Sequence, residues 1–193
     1  MPTPPLAVST LLLAGGQGQR VGGQDKGLLQ WHGQPLISYL YQQVRPLTDD
    51  LIISCNRNES AYSRYADRLV GDAEEGFPGP MAGLLAGLAA ARHPWLLVLP
   101  CDVPGVDAAL LQALLGAAQR TGGSAMVRQG GQWEPLLCVM PTRLRGAFEH
   151  AWQAGERSPR RVLLAQPVAA VDCAAGDPRL ANLNTLGRLE APS

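Results

Sequence analysis

The sequence has no excess of either charge. Among 193 residues, sixteen basic and sixteen acidic side chains leave a formal net charge of zero. A nucleic-acid binder normally carries a basic surplus that displaces counterions from phosphates, so the balance argues against that class. It leaves open a nucleotide site, which needs only local charge. Cysteine is scarce: Cys55, Cys101, Cys138 and Cys173 lie far apart and form no C-x-x-C pair. That argues against a structural zinc site or a disulfide framework and fits single buried thiols in a reducing cytosol. No apolar run approaches the length of a membrane span. The opening "MPTPPLAVSTLLLAGG" has no Lys or Arg before Arg20 and flows straight into glycines, unlike a signal peptide. The expectation is a cytoplasmic protein with neither nucleic acid nor membrane as partner. Histidine is sparse as well. His32 falls in a turn, His93 ends a helix before Pro94, and His150 lies within a helix. Surface or capping roles suit all of them better than ligation.

What is present is an ordinary globular balance, 46% hydrophobic and 17% charged, at a length that suits one domain with a single core. There is no internal repeat and no low-complexity linker. Short apolar runs alternate with helix-like segments. Strands are expected at "LAVSTLLLA" (6–14), "LIISC" (51–55), "LVGD" (69–72) and "WLLVLP" (95–100). Helices are expected at 35–47, 61–68, 81–92 and 107–120; the third is rich in Ala and Leu and lies between Pro80 and Pro94. In the second half, "SAMVRQ" and "WEPLLCVM" read as strands joined by a Gly130–Gly131 turn. Residues 144–155 and 159–166 read as helical, and "VAAVDC" as a last strand. The alternation predicts a single Rossmann-like three-layer α/β domain, with a mostly parallel sheet and helices on both faces. Ligands in such sheets bind at the carboxyl ends of the strands. The glycine loop after the first strand, Ser54 to Arg57, Asp72, and Cys101–Asp102 should therefore converge on one rim.

The stretch "LLLAGGQGQRVGGQDKGLL" (11–29) holds six glycines, with Arg20, Asp25 and Lys26 among them. So much bare backbone beside two cations suggests a phosphate chain. The dinucleotide fingerprint fails at its third glycine, where Val21 stands after Gly16 and Gly18, and no acidic residue ends the second strand. The P-loop fails because Gln24 and Asp25 follow Gly18 and Gly23. A plain glycine-rich surface loop would leave Arg20 and Lys26 without a purpose.

A third pattern fits. "LAGGQGQRVGGQDKGLL" strongly resembles the signature L-A-G-G-x-x-x-R-M-G-G-x-D-K-x-L of the molybdenum cofactor guanylyltransferases, within the nucleotidyltransferase superfamily; Val21 replaces the usual Met. "FPGPMAGLLAGL" (77–88), "LPCDVP" (99–104), "EPLLCV" (134–139) and "NLNTLGRL" (182–189) follow in order, so the resemblance covers nearly the whole chain. It implies transfer of GMP from GTP to the terminal phosphate of molybdopterin, with release of pyrophosphate. It also implies a nucleotide-binding half at about 6–105, a pterin-side half at about 106–190, and molybdoenzyme maturation proteins as partners.

The residue chemistry is consistent with that reaction. Leu13, Ala14, Gly15, Gly16, Gly18 and Gly23 form the nucleotide loop, where glycine lets backbone N–H groups approach the triphosphate. Arg20 offers a planar fork to phosphate oxygens and Lys26 a movable point charge. Asp102, emerging from "WLLVLPC", is the best ligand for Mg²⁺, although a helix-capping role competes. Asp25 is expected to brace Lys26 and the loop. By resemblance, Asp102 binds Mg²⁺, Asp72 contributes to the GTP site, and Asn182 and Asn184 match the pterin-side motif. Asp72 also fits a solvated acidic loop, and the two asparagines fit turn chemistry. Family members often carry Asn where Ser54 stands, so Ser54 is not assigned. Arg157, Arg160 and Arg161 suit either the pterin phosphate or a solvated helix face. A cytidylyl or sugar-phosphate nucleotidyltransferase, or a non-catalytic molybdopterin carrier, are the alternatives. Gly15–Gly16 and the intact Arg20, Lys26 and Asp102 set speak against them.

Overall fold

A computed structural model of the protein describes residues 6–14, 25–71 and 79–182. Among these, seven strands make one sheet: β1 (Val8–Leu13), β4 (Leu51–Ser54), β5 (Arg68–Val70), β6 (Trp95–Pro100), β7 (Ser124–Gln129), β8 (Gln132–Pro141) and β9 (Val168–Cys173). Their spatial order is β5-β4-β1-β6-β8-β7-β9. Only β8 opposes its neighbours; every other pairing is parallel. A short ribbon of β2 (Gln30–Trp31) and β3 (Gln34–Pro35) stands apart. The expectation of a mostly parallel sheet is met. The reversal at β8 follows from the tight turn before it, where Gly130 and Gly131 take φ of +53° and +85°, values that suit a hairpin between twisted strands.

Alternation along β1 explains the layers. Val8 and Leu12 face one cluster, shared with Ile37, Leu40 and Val44 of α1 (Leu36–Val44) and with Leu110, Leu111 and Leu114 of α4 (Ala108–Thr121). Leu11 faces the other cluster, with Met81, Leu84 and Leu88 of α3 (Pro80–Ala90), Phe148 of α5 (Arg145–Gln153) and Leu163 of α6 (Pro159–Leu164). A strand apolar on both faces must be covered on both, as the near-continuous run "VSTLLL" requires.

The α3 helix owes its closeness to glycine. A Cβ at Gly87 would lie 2.4 Å from Leu11 Cδ2, and one at Gly83 would lie 2.7 Å from Ser54 Oγ. These two positions, one turn apart, let the helix backbone settle directly onto β1 and β4. Its amino end therefore reaches the carboxyl rim of the sheet.

The α2 segment differs from expectation. In place of a helix over 61–68, helix α2 (Glu59–Tyr62) passes into a 3-10 turn at Ser63–Tyr65, and Arg68 already belongs to β5. The cause is Asp67. Its carboxylate accepts from Leu51 N at 2.8 Å and pairs with Arg45 at 2.8 Å, while its own N–H donates to Leu51 O at 2.8 Å. These bonds draw the chain into the sheet edge before another helical turn can form.

At the amino ends of the strands lies a buried carboxylate. Asp50 is fully buried and accepts from Ser9 Oγ at 2.5 Å, from Arg92 N at 2.9 Å, and from the Arg68 guanidinium. Burial alone would raise its pKa, but the Ser9, Arg92 and Arg68 contacts together hold it below the usual 3.8. A lowered folded-state pKa stabilises the fold above the ordinary carboxylate range, and that contribution is lost as the pH falls through the lowered value. Asp50→Ala should cost about 3 kcal/mol near pH 7, the low end for breaking a buried pair because Arg68 keeps some solvent. Urea denaturation should show the gap between wild type and variant closing progressively in acid.

Candidate functional site

The rim is set by register. Leu13 lies beside Ser54 on one side and Pro100 on the other. Ala14 N donates to Ser54 O at 2.8 Å, and Cys101 N donates to Leu13 O at 3.0 Å. The ends of three parallel strands are thus stitched together where the glycine loop begins. Leu13 and Ala14 stand at this rim as expected. The Leu13 C=O and the Ala14 N–H are satisfied by the sheet, and the Leu13 side chain packs against the Gly83 turn of α3. Gly15, Gly16, Gly18, Arg20, Gly23, Asp72 and Asn184 lie outside the described residues.

Lys26 and Asp102 meet across this rim. Lys26 opens a 3-10 turn (Lys26–Leu28), and its Nζ lies 3.1 Å from Asp102 Oδ2. Both side chains keep partial solvent access, 29% and 22%. A pair this exposed contributes little to stability, so both groups remain available to a ligand. No cluster of three or more His, Cys, Asp or Glu side chains occurs among the described residues. A single hard carboxylate is the donor type suited to Mg²⁺, which keeps waters and draws its other ligands from substrate phosphates.

Asp25 does not brace Lys26 directly. Its buried carboxylate accepts from the Tyr62 hydroxyl and from Asn58 Nδ2 at 3.3 Å, with Arg57 Nε at 3.8 Å. These partners on 57–62 were not read from the sequence, where "AYSRY" carried only a helical signal. The Ser54 side chain is buried between Leu13 and the Gly83 turn of α3. Among the histidines, His93 pairs with Asp49 at 2.5 Å, and His32 sits in the turn between β2 and β3 at φ +46°. Both fit the surface roles expected of them.

The carboxyl-terminal segment is fastened to the Asp102 loop. Arg179 holds Asp177 at 2.7 Å and reaches Asp107, the cap of α4, at 3.6 Å. Leu180 is buried, and a Cβ on Gly105 would lie 3.0 Å from Pro178 O. Asn182 follows two residues beyond Leu180. No signal in the sequence pointed to the Arg179 clasp, because Asp107 is remote from Arg179 along the chain. Arg157 lies 3.7 Å over the Trp152 ring and Arg161 pairs with Glu156 at 3.1 Å, while Arg160 is exposed on α6.

Residues 10–171 match the MobA-like NTP transferase domain. A protein of Pseudomonas aeruginosa named molybdenum cofactor guanylyltransferase is 64% identical over 178 residues, covering 92% of this chain and 90% of that one. One of the same name from Pseudomonas fluorescens is 61% identical over 98% of this chain and 95% of its own. Among solved structures, molybdopterin-guanine dinucleotide biosynthesis protein A from Archaeoglobus fulgidus aligns with a TM-score of 0.69 at 24% identity, over 85% of this chain and 83% of that one. The 2-C-methyl-D-erythritol 4-phosphate cytidylyltransferase from Thermus thermophilus aligns at 0.73 and 22% identity, over 96% and 98%. At these identities the structural likeness speaks for the fold.

The buried thiols are held in the protonated form. Burial, and then the charges of Glu59 and Asp25, push Cys55 up to about 11. Burial pushes Cys138 up to about 12, and Cys101, fully enclosed beside Asp102, is raised further. The thiolate is the reactive form. At about pH 8 these thiols should react with a disulfide reagent only slowly in the folded protein and promptly in denaturant, as absorbance of the released thiolate would record.

Proposed function

The chain belongs to the MobA-like NTP transferase family, and we propose that it transfers GMP from GTP to the terminal phosphate of molybdopterin. The products are molybdopterin guanine dinucleotide and pyrophosphate. The observation that carries the reading is the Lys26–Asp102 pair at 3.1 Å, just after a glycine-rich stretch of sequence, in a chain 64% identical to a protein named for this activity.

In the reaction, an oxygen of the acceptor phosphate attacks the α-phosphorus of GTP, and the bond to the bridging oxygen breaks. The electron pair leaves with pyrophosphate. The nucleophile is already an anion, so no strong general base is needed. Lys26 leaves Asp102 to follow the charge growing on the leaving pyrophosphate. Arg20 and the backbone of Gly15, Gly16, Gly18 and Gly23 hold the triphosphate. Asp102, with Asp72 nearby in sequence to the third strand's end, binds on the nucleotide side. Asp102 is the residue that would hold Mg²⁺, which would supply charge neutralisation and alignment of the phosphates when bound. Asn182 and Asn184 serve the pterin side, within a division at about 105 between nucleotide and acceptor halves. A cytoplasmic setting and hand-over to molybdoenzyme maturation proteins complete the reading. No described helix is long and apolar enough to cross a membrane.

Incubation with molybdenum-loaded molybdopterin, Mg²⁺ and each nucleoside triphosphate in turn tests it. GTP should yield the dinucleotide and pyrophosphate; equal turnover with CTP would refute guanylyl transfer, and binding without pyrophosphate would leave a carrier. Lys26→Ala should slow transfer on the order of 10²-fold or more. Asp102→Ala should regain part of its activity at high Mg²⁺, as a weakened metal site would. Full activity of Asp102→Ala at low Mg²⁺ would reduce Asp102 to a structural residue.

A further inference from the structure

Lys26 is the only lysine in the chain; all other basic residues are arginine. Its place is therefore singular, and the surrounding bonds explain how it is held. Asp25, Lys26 and Gly27 have three distinct tasks. Asp25 has an almost fully buried carboxylate, 3% exposed, gripped by groups from residues 57–62. Lys26 reaches Asp102. Gly27 lies against the phenol ring, since a Cβ there would sit 2.6 Å from Tyr62 Oη and 3.2 Å from its Cε1.

Tyr62 is itself fully buried in the cluster beneath β1 and β4. Burying a hydroxyl and a carboxylate there is costly unless they bond each other. Burial and then the bond to Asp25 raise the phenol far above its ordinary range, so it stays a protonated donor. Asn58 adds its amide from a left-handed backbone at φ +57°, and its carbonyl accepts from Ala61 N at 2.9 Å. Asn tolerates that conformation better than most residues. Leu28 N closes the turn on Asp25 O at 3.1 Å. The backbone from which Lys26 projects is thus bolted to α2 on one side.

We propose that Tyr62, through its hydroxyl on Asp25, is a positioning residue that sets the reach of the Lys26 ammonium toward Asp102 and the reacting phosphates. The assignment rests on the functional reading above for its kinetic consequence, and on the bonds alone for its structural one. A flexible four-carbon stem is useful to catalysis only if its root is fixed, because small misplacements of a charged group cost rate steeply. The buried carboxylate supplies that root, and Tyr62 and Asn58 hold the carboxylate.

The test uses the full-length protein with Tyr62→Phe, Lys26→Ala and the double variant, with thermal melting as a check on folding. Two readouts are taken. The first is a double-mutant cycle in kcat and in KM for GTP. Tyr62→Phe should lower kcat about 10-fold in the wild-type background, with KM for GTP changing far less. In the Lys26→Ala background it should add almost nothing. An equal loss in both backgrounds, or full activity of Tyr62→Phe, overturns the proposal. The second readout is the acylation rate of the single lysine amine, mapped by mass spectrometry in protein without substrates. Loosening the root should expose the amine, so Tyr62→Phe should react severalfold faster at Lys26. An unchanged rate overturns the proposal. This arm needs no turnover, so absence of guanylyl transfer in the wild type would defeat the functional reading while leaving the positioning role decided. Should Tyr62→Phe not fold, Asn58→Gly keeps the left-handed backbone, removes the amide, and is expected to shift both readouts in the same direction.

Discussion

The site depends on β1 being paired on both sides by parallel strands. Leu13 is in register with Ser54 and Pro100, and the bonds Ala14 N to Ser54 O and Cys101 N to Leu13 O continue the stitching past the strand ends. Residues 13–14, 54–58 and 101–107 can share one rim only because these strands run in the same direction and stop at the same level. Parallel pairing requires crossovers, and the crossovers supply the helices that cover both faces. Gly83 and Gly87 then set how low α3 lies on that frame. The close approach of α3 to Leu11, Leu13 and Ser54 is a consequence of two missing side chains.

The two ends of the sheet handle charge in opposite ways. At the amino ends, Asp50 is sealed from solvent and saturated with donors from Ser9, Arg68 and Arg92. Such a carboxylate is committed to the fold, since exchanging any partner would leave a buried charge uncompensated. At the carboxyl ends, Lys26 and Asp102 hold each other while still reaching water. Their pairing is cheap to break, because both side chains keep contact with solvent. Asp25 lies between these extremes: buried like Asp50, yet placed one residue from a mobile cation. Its bonds to Tyr62 and Asn58 convert the rigidity of the core into a fixed root for the lysine.

Much of the frame was legible from local pattern. Strand β6 and strand β9 were read to the residue, because short apolar runs ended by Pro or by Gly-rich turns have few alternatives. The Gly130–Gly131 hairpin follows from φ requirements that act within a few residues, whereas the capping role weighed for Asp102 belongs to Asp107. The α2 segment was misjudged because Asp67 is drawn to Leu51, a contact no helical periodicity encodes. Asp25 was expected to brace Lys26 and the loop, but its carboxylate bonds Tyr62 and Asn58 instead.

The sequence by itself determined the alternation of strands and helices and the position of the glycine loop after the first strand, and it singled out Arg20, Lys26 and Asp102 as candidates. These depend on residue type and short-range spacing, which are written along the chain. Only the tertiary structure decided that Lys26 rests on Asp102, that Tyr62 and Asn58 hold Asp25, and that Arg179 clasps the α4 cap beside Gly105. Each of these joins residues separated by tens of positions. Such contacts arise from the register of the sheet and the depth of the helices upon it, which no local window of sequence contains.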